Sequence, residues 1–116
     1  MENTLINRHE GDDLIEYKFN EDMYLQELWD YVNATYGQHY SQNKFQATEF
    51  IIDNGHGTGF CMGNVLKYAQ RYGNKGSIDD ARKDLMKVLH YALIQLYIHD
   101  MENKYGIENH SWRFKG

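Results

Sequence analysis

Residues 60–91, FCMGNVLKYAQRYGNKGSIDDARKDLMKVLHY, decide the fold that the sequence predicts. In the first half, apolar residues recur at helical spacing as far as Gly73, a residue type that commonly ends a helix. The second half opens with Ser77 and Asp80, which have the spacing of a capping box with Asp in place of the usual Glu or Gln. Because only residues 73–76 separate the two segments, the sequence predicts a helical hairpin.

Two further helices are expected before the hairpin. The first runs from a capping Asn20 to Gly37, with apolar residues at helical spacing between them. Residues 38–45 are polar and are interpreted as a loop. A short second helix follows and stops at the glycine-rich loop of residues 54–59, NGHGTG. This loop leads into the third helix, at about residues 60–72.

The fourth helix is the longest, because one face stays apolar from Ser77 to Gly106 and no proline interrupts it. Four helices without convincing strands predict an all-α fold, a small helical domain with the hairpin at its centre. The 116 residues are expected to form a single domain. It would consist of an N-terminal arm (1–19), a helical core (20–106) and a tail (107–116).

The composition argues against several classes of protein. No run approaches the roughly 20 apolar residues of a membrane span, and the N-terminus lacks the basic start and apolar middle of a signal peptide. The net charge of -5 argues against general nucleic-acid binding, which needs dense Lys and Arg. Cys61 is the single cysteine, which excludes an internal disulfide and makes a reduced, cytoplasmic location the expected one.

Basic residues are concentrated in the predicted hairpin. Residues 64–88 contain six Lys or Arg and three Asp, a net charge of 6 - 3 = +3, whereas the rest of the chain has 6 - 14 = -8. A basic island in an acidic protein indicates a local anionic ligand. The alternative is an ordinary solvated helix face.

Each helix of the hairpin carries a stripe of polar residues at helical spacing. The stripes consist of Asn64, Lys67, Tyr68 and Arg71 on the third helix and of Lys83, Lys87 and Tyr91 on the fourth. Arg offers a planar fork and Lys a mobile charge for phosphate oxygens. The glycine-rich loop adds N–H groups at a helix N-terminus, and Gly63 leaves room for a close approach of a ligand or a second backbone. The short turn makes the stripes converge, which predicts a phosphate site, although each stripe alone also fits a solvated polar row.

The hairpin lacks the conventional machinery for phosphoryl transfer. No Gly-x-x-x-x-Gly-Lys-Ser/Thr loop occurs, which excludes a Walker-type kinase. Asp80 and Asp84 could share a magnesium ion, but the alternative is a helix cap plus an ion pair from Asp84 to Lys87. The six histidines and Cys61 show no metal-ligand spacing, and Cys61 is expected to be an inert core residue. We therefore assign no catalytic residue, metal or cofactor.

A longer set of residues resembles a known family. The set consists of His39-Tyr40, Phe60 to Tyr68, Arg71, Gly73, Lys75, Lys83-Asp84-Leu85, Lys87 and Tyr91. Over about residues 39–92 the chain is similar to the phage SaV-like family, which includes the C-terminal part of a small podophage nucleotide kinase. Tyr72 departs from the pattern, since the family has a small residue after the arginine.

The resemblance implies a phage origin, a nucleotide ligand and a homo-oligomer assembled through helices. The ligand-binding residues that it implies are His39, Tyr40, Asn64, Lys67, Tyr68, Arg71, Lys75, Lys83 and Lys87. We expect that Trp112 and Phe114, the apolar residues of the tail, contribute to the contact between subunits.

Three functions are compatible with these patterns. The first is a phage protein in the cytoplasm of the infected bacterium that sequesters a host immune signalling nucleotide, such as a cyclic oligonucleotide or an ADP-ribose derivative. The second is a nucleoside monophosphate kinase, which would use Mg²⁺. The third and weaker hypothesis is an inhibitor that binds a host protein through an acidic, tyrosine-rich surface. The scarcity of carboxylates in the hairpin favours the first.

Overall fold

A computed structural model describes residues 15–38 and 41–104, and these two ranges contain four α-helices and no strand. The helices are α1 (Glu21–Gly37), α2 (Ser41–Asp53), α3 (Gly57–Arg71) and α4 (Ile78–Lys104). The all-α prediction is confirmed. None of the described helices is long and apolar enough to cross a membrane. The tail residues Trp112 and Phe114 lie outside the described residues.

The contacts within the chain divide it into two units, Met1–Gly37 and Gln38–Gly116. The first unit contributes α1, whose position agrees with the prediction. Asn20 precedes α1 in the left-handed conformation, with φ 58°, which Asn tolerates better than most residues. Its carbonyl accepts the hydrogen bond from the Tyr24 N–H at 3.1 Å, which begins the helix. The single-domain assignment stays a prediction.

Helix α2 begins at Ser41, so the prediction of a loop over residues 38–45 is wrong for most of that segment. Phe45, Thr48 and Ile52 have i, i+3, i+7 spacing and are half-buried or buried, which gives α2 one inward face. The first turn was missed because its sequence, Ser41 to Lys44, is polar throughout. An exposed helical turn and a loop have the same composition.

Helix α3 begins at Gly57, earlier than predicted, so the glycine-rich loop shrinks to residues 54–56. Gly57 is buried. A Cβ atom at this position would lie 2.9 Å from Ile98 Cδ1 and 3.0 Å from Ile52 Cγ1. The glycine therefore permits a close approach between the N-terminus of α3 and its neighbours on α2 and α4.

Packing of α3 against α4 forms the core of the second unit, which confirms the predicted hairpin. The buried members of this core are Cys61, Tyr91 and Ile98, and its half-buried members are Ile52, Phe60, Val65, Tyr68 and Ile94. Full burial of an aliphatic side chain such as Ile98 contributes about 1.5–3 kcal/mol to stability. Burial also raises the pKa of the Cys61 thiol to about 11, as expected for an inert core cysteine.

The predicted capping box opens α4. The backbone N–H of Asp80 donates to Ser77 Oγ, and the backbone N–H of Ser77 donates to Asp80 Oδ2, each at 3.1 Å. These bonds, first of all the one from the Ser77 backbone, lower the pKa of the Asp80 carboxyl. Gly76 precedes the box with φ 80°, and a Cβ there would lie only 2.5 Å from Asp80 Oδ2. The turn between the helices thus requires a glycine at this position.

Two glycine substitutions in α3 are expected to change stability in opposite directions. Gly57→Ala should lower the free energy of unfolding by about 1 kcal/mol, because overpacking a core costs about 1–3 kcal/mol and the gain in helix propensity offsets part of it. Gly63→Ala should raise the free energy by about 0.5–1 kcal/mol, since helix propensity improves and no atom lies within 4 Å of the added Cβ. Urea unfolding of both variants checks this. A rise in the midpoint of Gly57→Ala would contradict the packing at Gly57, and a fall in that of Gly63→Ala would contradict the open space at Gly63.

Candidate functional site

Tyr68 of α3 and Tyr91 of α4 stack across the hairpin. Their ring centroids are 6.1 Å apart, and the ring planes differ by 10°. Phe60 meets Tyr91 nearly at a right angle, with centroids 5.9 Å apart. Phe60 and Tyr68 lie about two turns apart on one side of α3, so both reach the same ring of α4. Because Tyr91 is buried and Tyr68 half-buried, the stack leads from the core to the surface.

Three cations surround the ring of Tyr68. Lys67 Nζ lies 4.5 Å from the ring centroid, Lys87 Nζ 5.4 Å and Arg71 Cζ 5.7 Å. Two of these side chains come from α3 and one from α4, so the structure brings the two polar stripes together at these residues. We call Tyr68, Lys67, Arg71 and Lys87 the Tyr68 cluster.

The energies of the Tyr68 cluster favour an anion beside it. A cation over an exposed aromatic ring gains about 0.5–1 kcal/mol. Any two of the three charges are at most about 11 Å apart, so each of the three pairs repels by at least about 0.4 kcal/mol in water. Attraction to the ring and mutual repulsion are therefore of the same order, about 1 kcal/mol or more in total. A phosphate placed among the cations would be attracted to all three charges.

Asp84 is buried beside Arg71. The Arg71 Nε and Asp84 Oδ1 atoms are 3.9 Å apart, which makes an ion pair but exceeds the length of a hydrogen bond. The Asp84 side chain is 5% exposed and that of Arg71 is 43% exposed. The ion pair therefore leaves the Arg71 guanidinium with open N–H groups. The predicted alternative, a pair from Asp84 to Lys87 within one helix, is replaced by this pair across the hairpin.

Other predicted site residues take different positions. The Asn64 side chain donates through Nδ2 to the carbonyl of Phe60 in its own helix at 2.9 Å, so its oxygen is the atom left for a ligand. Lys75 and Lys83 are exposed, and neither is one of the three cations around the Tyr68 ring. His39 and Tyr40 lie outside the described residues.

The glycine-rich loop lies apart from the Tyr68 cluster, so its predicted contribution to the site stays a prediction. Gly57 and Lys67 are ten residues apart in α3, a distance of about 15 Å along the helix axis. The N-terminus of α3 also packs against Ile98 and Ile52, which are apolar. The backbone N–H groups at this end of α3 and the Tyr68 cluster therefore cannot hold the same phosphate. Gly63 was predicted to leave room for a ligand or a second backbone, and no atom lies within 4 Å of a Cβ added there.

Sequence reasoning missed Lys44 as a neighbour of the site. Lys44 lies on α2, and its Nζ is 5.8 Å from the centroid of the Tyr91 ring. Burial lowers the pKa of His90, and the nearby ammonium group of Lys44 lowers it further. His90 is buried between the rings of Phe45 and Tyr91, at centroid distances of 6.3 and 6.4 Å. The available signal was the helical spacing of Phe45, Thr48 and Ile52, which places residue 44 in a helix.

No group of three or more His, Cys, Asp or Glu side chains in the described ranges lies close enough to hold a metal ion.

Residues 34–93 match the model of a family described as "Protein of unknown function (DUF3310)". This segment is just over half of the chain and includes α2, α3 and the Tyr68 cluster. No curated protein and no solved structure matches the chain.

Proposed function

Since the chain belongs to the DUF3310 family and the description of that family names no activity, we propose a function from the Tyr68 cluster. The protein binds a nucleotide there and holds it without converting it. The observation that carries this proposal is the placing of three cations, from two helices, within 6 Å of one tyrosine ring centroid.

Each cation of the Tyr68 cluster has a different use for a phosphate group. The guanidinium of Arg71 presents a planar fork that matches two phosphate oxygens, and its loose pair with Asp84 leaves N–H groups available. Lys67 is exposed and supplies a mobile charge, whereas Lys87 is half-buried and more restricted. Together the three cations suit an anion that lies beside the Tyr68 ring.

Tyr68 offers a surface for the base of the nucleotide. Tyr91 covers one face of the Tyr68 ring, so a base stacks on the other. Stacking of a base on an aromatic side chain contributes about 1–3 kcal/mol. A phosphate that draws the two lysines towards itself uncovers the ring at the same time. Phosphate binding and base stacking therefore support each other.

The proposed ligand is a host immune signalling nucleotide, such as a cyclic oligonucleotide or an ADP-ribose derivative. The protein would sequester it in the cytoplasm of an infected bacterium. This part of the proposal rests on the resemblance of residues 39–92 to the phage SaV-like family. The same resemblance supports the second candidate, a nucleoside monophosphate kinase, because that family includes part of a nucleotide kinase.

A binding and recovery experiment separates holding from conversion. The protein is incubated with a panel of signalling nucleotides, and with nucleoside monophosphates plus ATP and Mg²⁺, after which bound material is released by heat and identified by mass spectrometry. We expect a signalling nucleotide to be recovered unchanged. Formation of a diphosphate from a monophosphate would support the kinase instead, and recovery of no nucleotide would refute both candidates.

Substitutions of exposed lysines locate the site in the same assay. Lys67→Ala should weaken binding at least tenfold, because a hydrogen bond to a charged group contributes about 1.5–3 kcal/mol. The matched control is Lys83→Ala, which removes the same charge from the hairpin but away from the Tyr68 ring, and should weaken binding much less. Equal losses in the two variants would show that only the net charge of the hairpin matters.

The expected homo-oligomer has a candidate surface on α4. Leu85, Leu89 and Leu96 have i, i+4, i+11 spacing, and between 42% and 62% of each side chain is exposed. We propose that a second copy covers this leucine face. Light scattering should find Leu89→Lys at a smaller mass than the wild type, whereas Leu89→Met should keep the wild-type mass. If Leu89→Lys leaves the mass unchanged, subunits do not meet at this face.

A further inference from the structure

Asp84 places a negative charge inside the Tyr68 cluster. It lies three residues before Lys87 on the same side of α4 and forms an ion pair with Arg71 of α3. With Asp84 included, the charges of Lys67, Arg71 and Lys87 sum to 3 - 1 = +2. The net charge of the site is therefore lower than its three basic residues alone would give.

The charge of Asp84 is poorly compensated by its surroundings. Its Oδ2 atom is buried and has no hydrogen-bond partner among the described residues. Its Oδ1 atom is 3.9 Å from Arg71 Nε, too far for a hydrogen bond. A buried carboxylate acts across a medium of lower dielectric constant than water, so it repels a nearby anion more strongly than an exposed one does. Asp84 is thus placed to oppose excess negative charge on the ligand.

From this we infer that Asp84 selects the charge of the nucleotide, an inference that rests on the proposed function. The preferred ligands carry about two negative charges, either as one phosphomonoester or as two phosphodiester groups. Di- and triphosphates carry more negative charge than the net +2 of the site balances, and the excess charge is repelled by the carboxylate of Asp84. The site therefore binds nucleoside monophosphates and cyclic dinucleotides more tightly than triphosphates.

A purely structural role for Asp84 predicts a different result. If the carboxylate only holds Arg71 in place, its loss should weaken the binding of every anion by a similar factor. If it selects charge, its loss should change the ratio of the affinities for the monophosphate and the triphosphate. This ratio therefore distinguishes selection from positioning.

The experiment measures dissociation constants of the full chain by calorimetry in buffer without divalent cations, so that each phosphate keeps its charge. The probes are the mono-, di- and triphosphates of adenosine, guanosine, cytidine and thymidine, together with cyclic di-AMP and cyclic di-GMP. The monophosphate or the cyclic dinucleotide should bind at least tenfold more tightly than the triphosphate with the same base. Comparison of the monophosphates with the cyclic dinucleotides shows whether the site prefers one phosphomonoester or two phosphodiester groups.

Asp84→Asn keeps the volume of the side chain and removes its charge. It should reduce the preference over the triphosphate at least fivefold, whereas Asp79→Asn, an exposed change of the same formal charge on α4, should leave it unaltered. Affinity that rises with each added phosphate in the wild-type protein overturns the inference, and this result needs no variant. An equal loss for all probes in Asp84→Asn overturns it as well. Failure of every nucleotide to bind refutes the proposed function and this inference with it.

Discussion

The stack of Tyr68 on Tyr91 joins the hydrophobic core of the hairpin to its charged surface. Tyr91 is a buried member of the core with Cys61 and Ile98 and contacts the ring of Phe60, so it is a fixed support for the ring that packs on it. Tyr68 is in turn the common neighbour of three cations from two helices. Movement of α3 along α4 would separate the rings and the cations together. The close contact at Gly57 resists such movement at the other end of the hairpin.

Electrostatics explains why such a cluster exists in an acidic protein. The chain has a net charge of -5, yet its hairpin concentrates positive charge in the Tyr68 cluster. Cation–π contacts stabilise this arrangement without a ligand, and the ion pair of Arg71 with Asp84 limits the repulsion. The same carboxylate also acts on a ligand, because a buried negative charge repels additional anionic groups. Under the proposed function, attraction by three cations and repulsion by one carboxylate would together favour a narrow class of anions.

Local signals in the sequence predicted the hairpin, and tertiary contacts decided the rest. The Ser77–Asp80 capping box and Gly73 act within a few residues, so the ends of α3 and α4 near the turn were predictable. The first turn of α2 was missed because its polar sequence resembles that of a loop, and Lys44 was missed with it. The partner of Asp84 depends on how α3 and α4 are rotated about their axes, which helical spacing alone does not specify.

The central claim is that a nucleotide binds at the Tyr68 end of the hairpin and not at the glycine-rich end of α3. Nuclear magnetic resonance of protein with isotope-labelled tyrosine rings, titrated with the tightest-binding nucleotide, tests it most directly. The resonances of Tyr68 respond to binding at the three cations around its ring. Tyr97 is next in sequence to Ile98, which packs on Gly57, so its resonances respond to binding at the glycine-rich end of α3. The account predicts that the ring resonances of Tyr68 shift while those of Tyr97 stay in place. Shifts at Tyr97 with none at Tyr68 would contradict it.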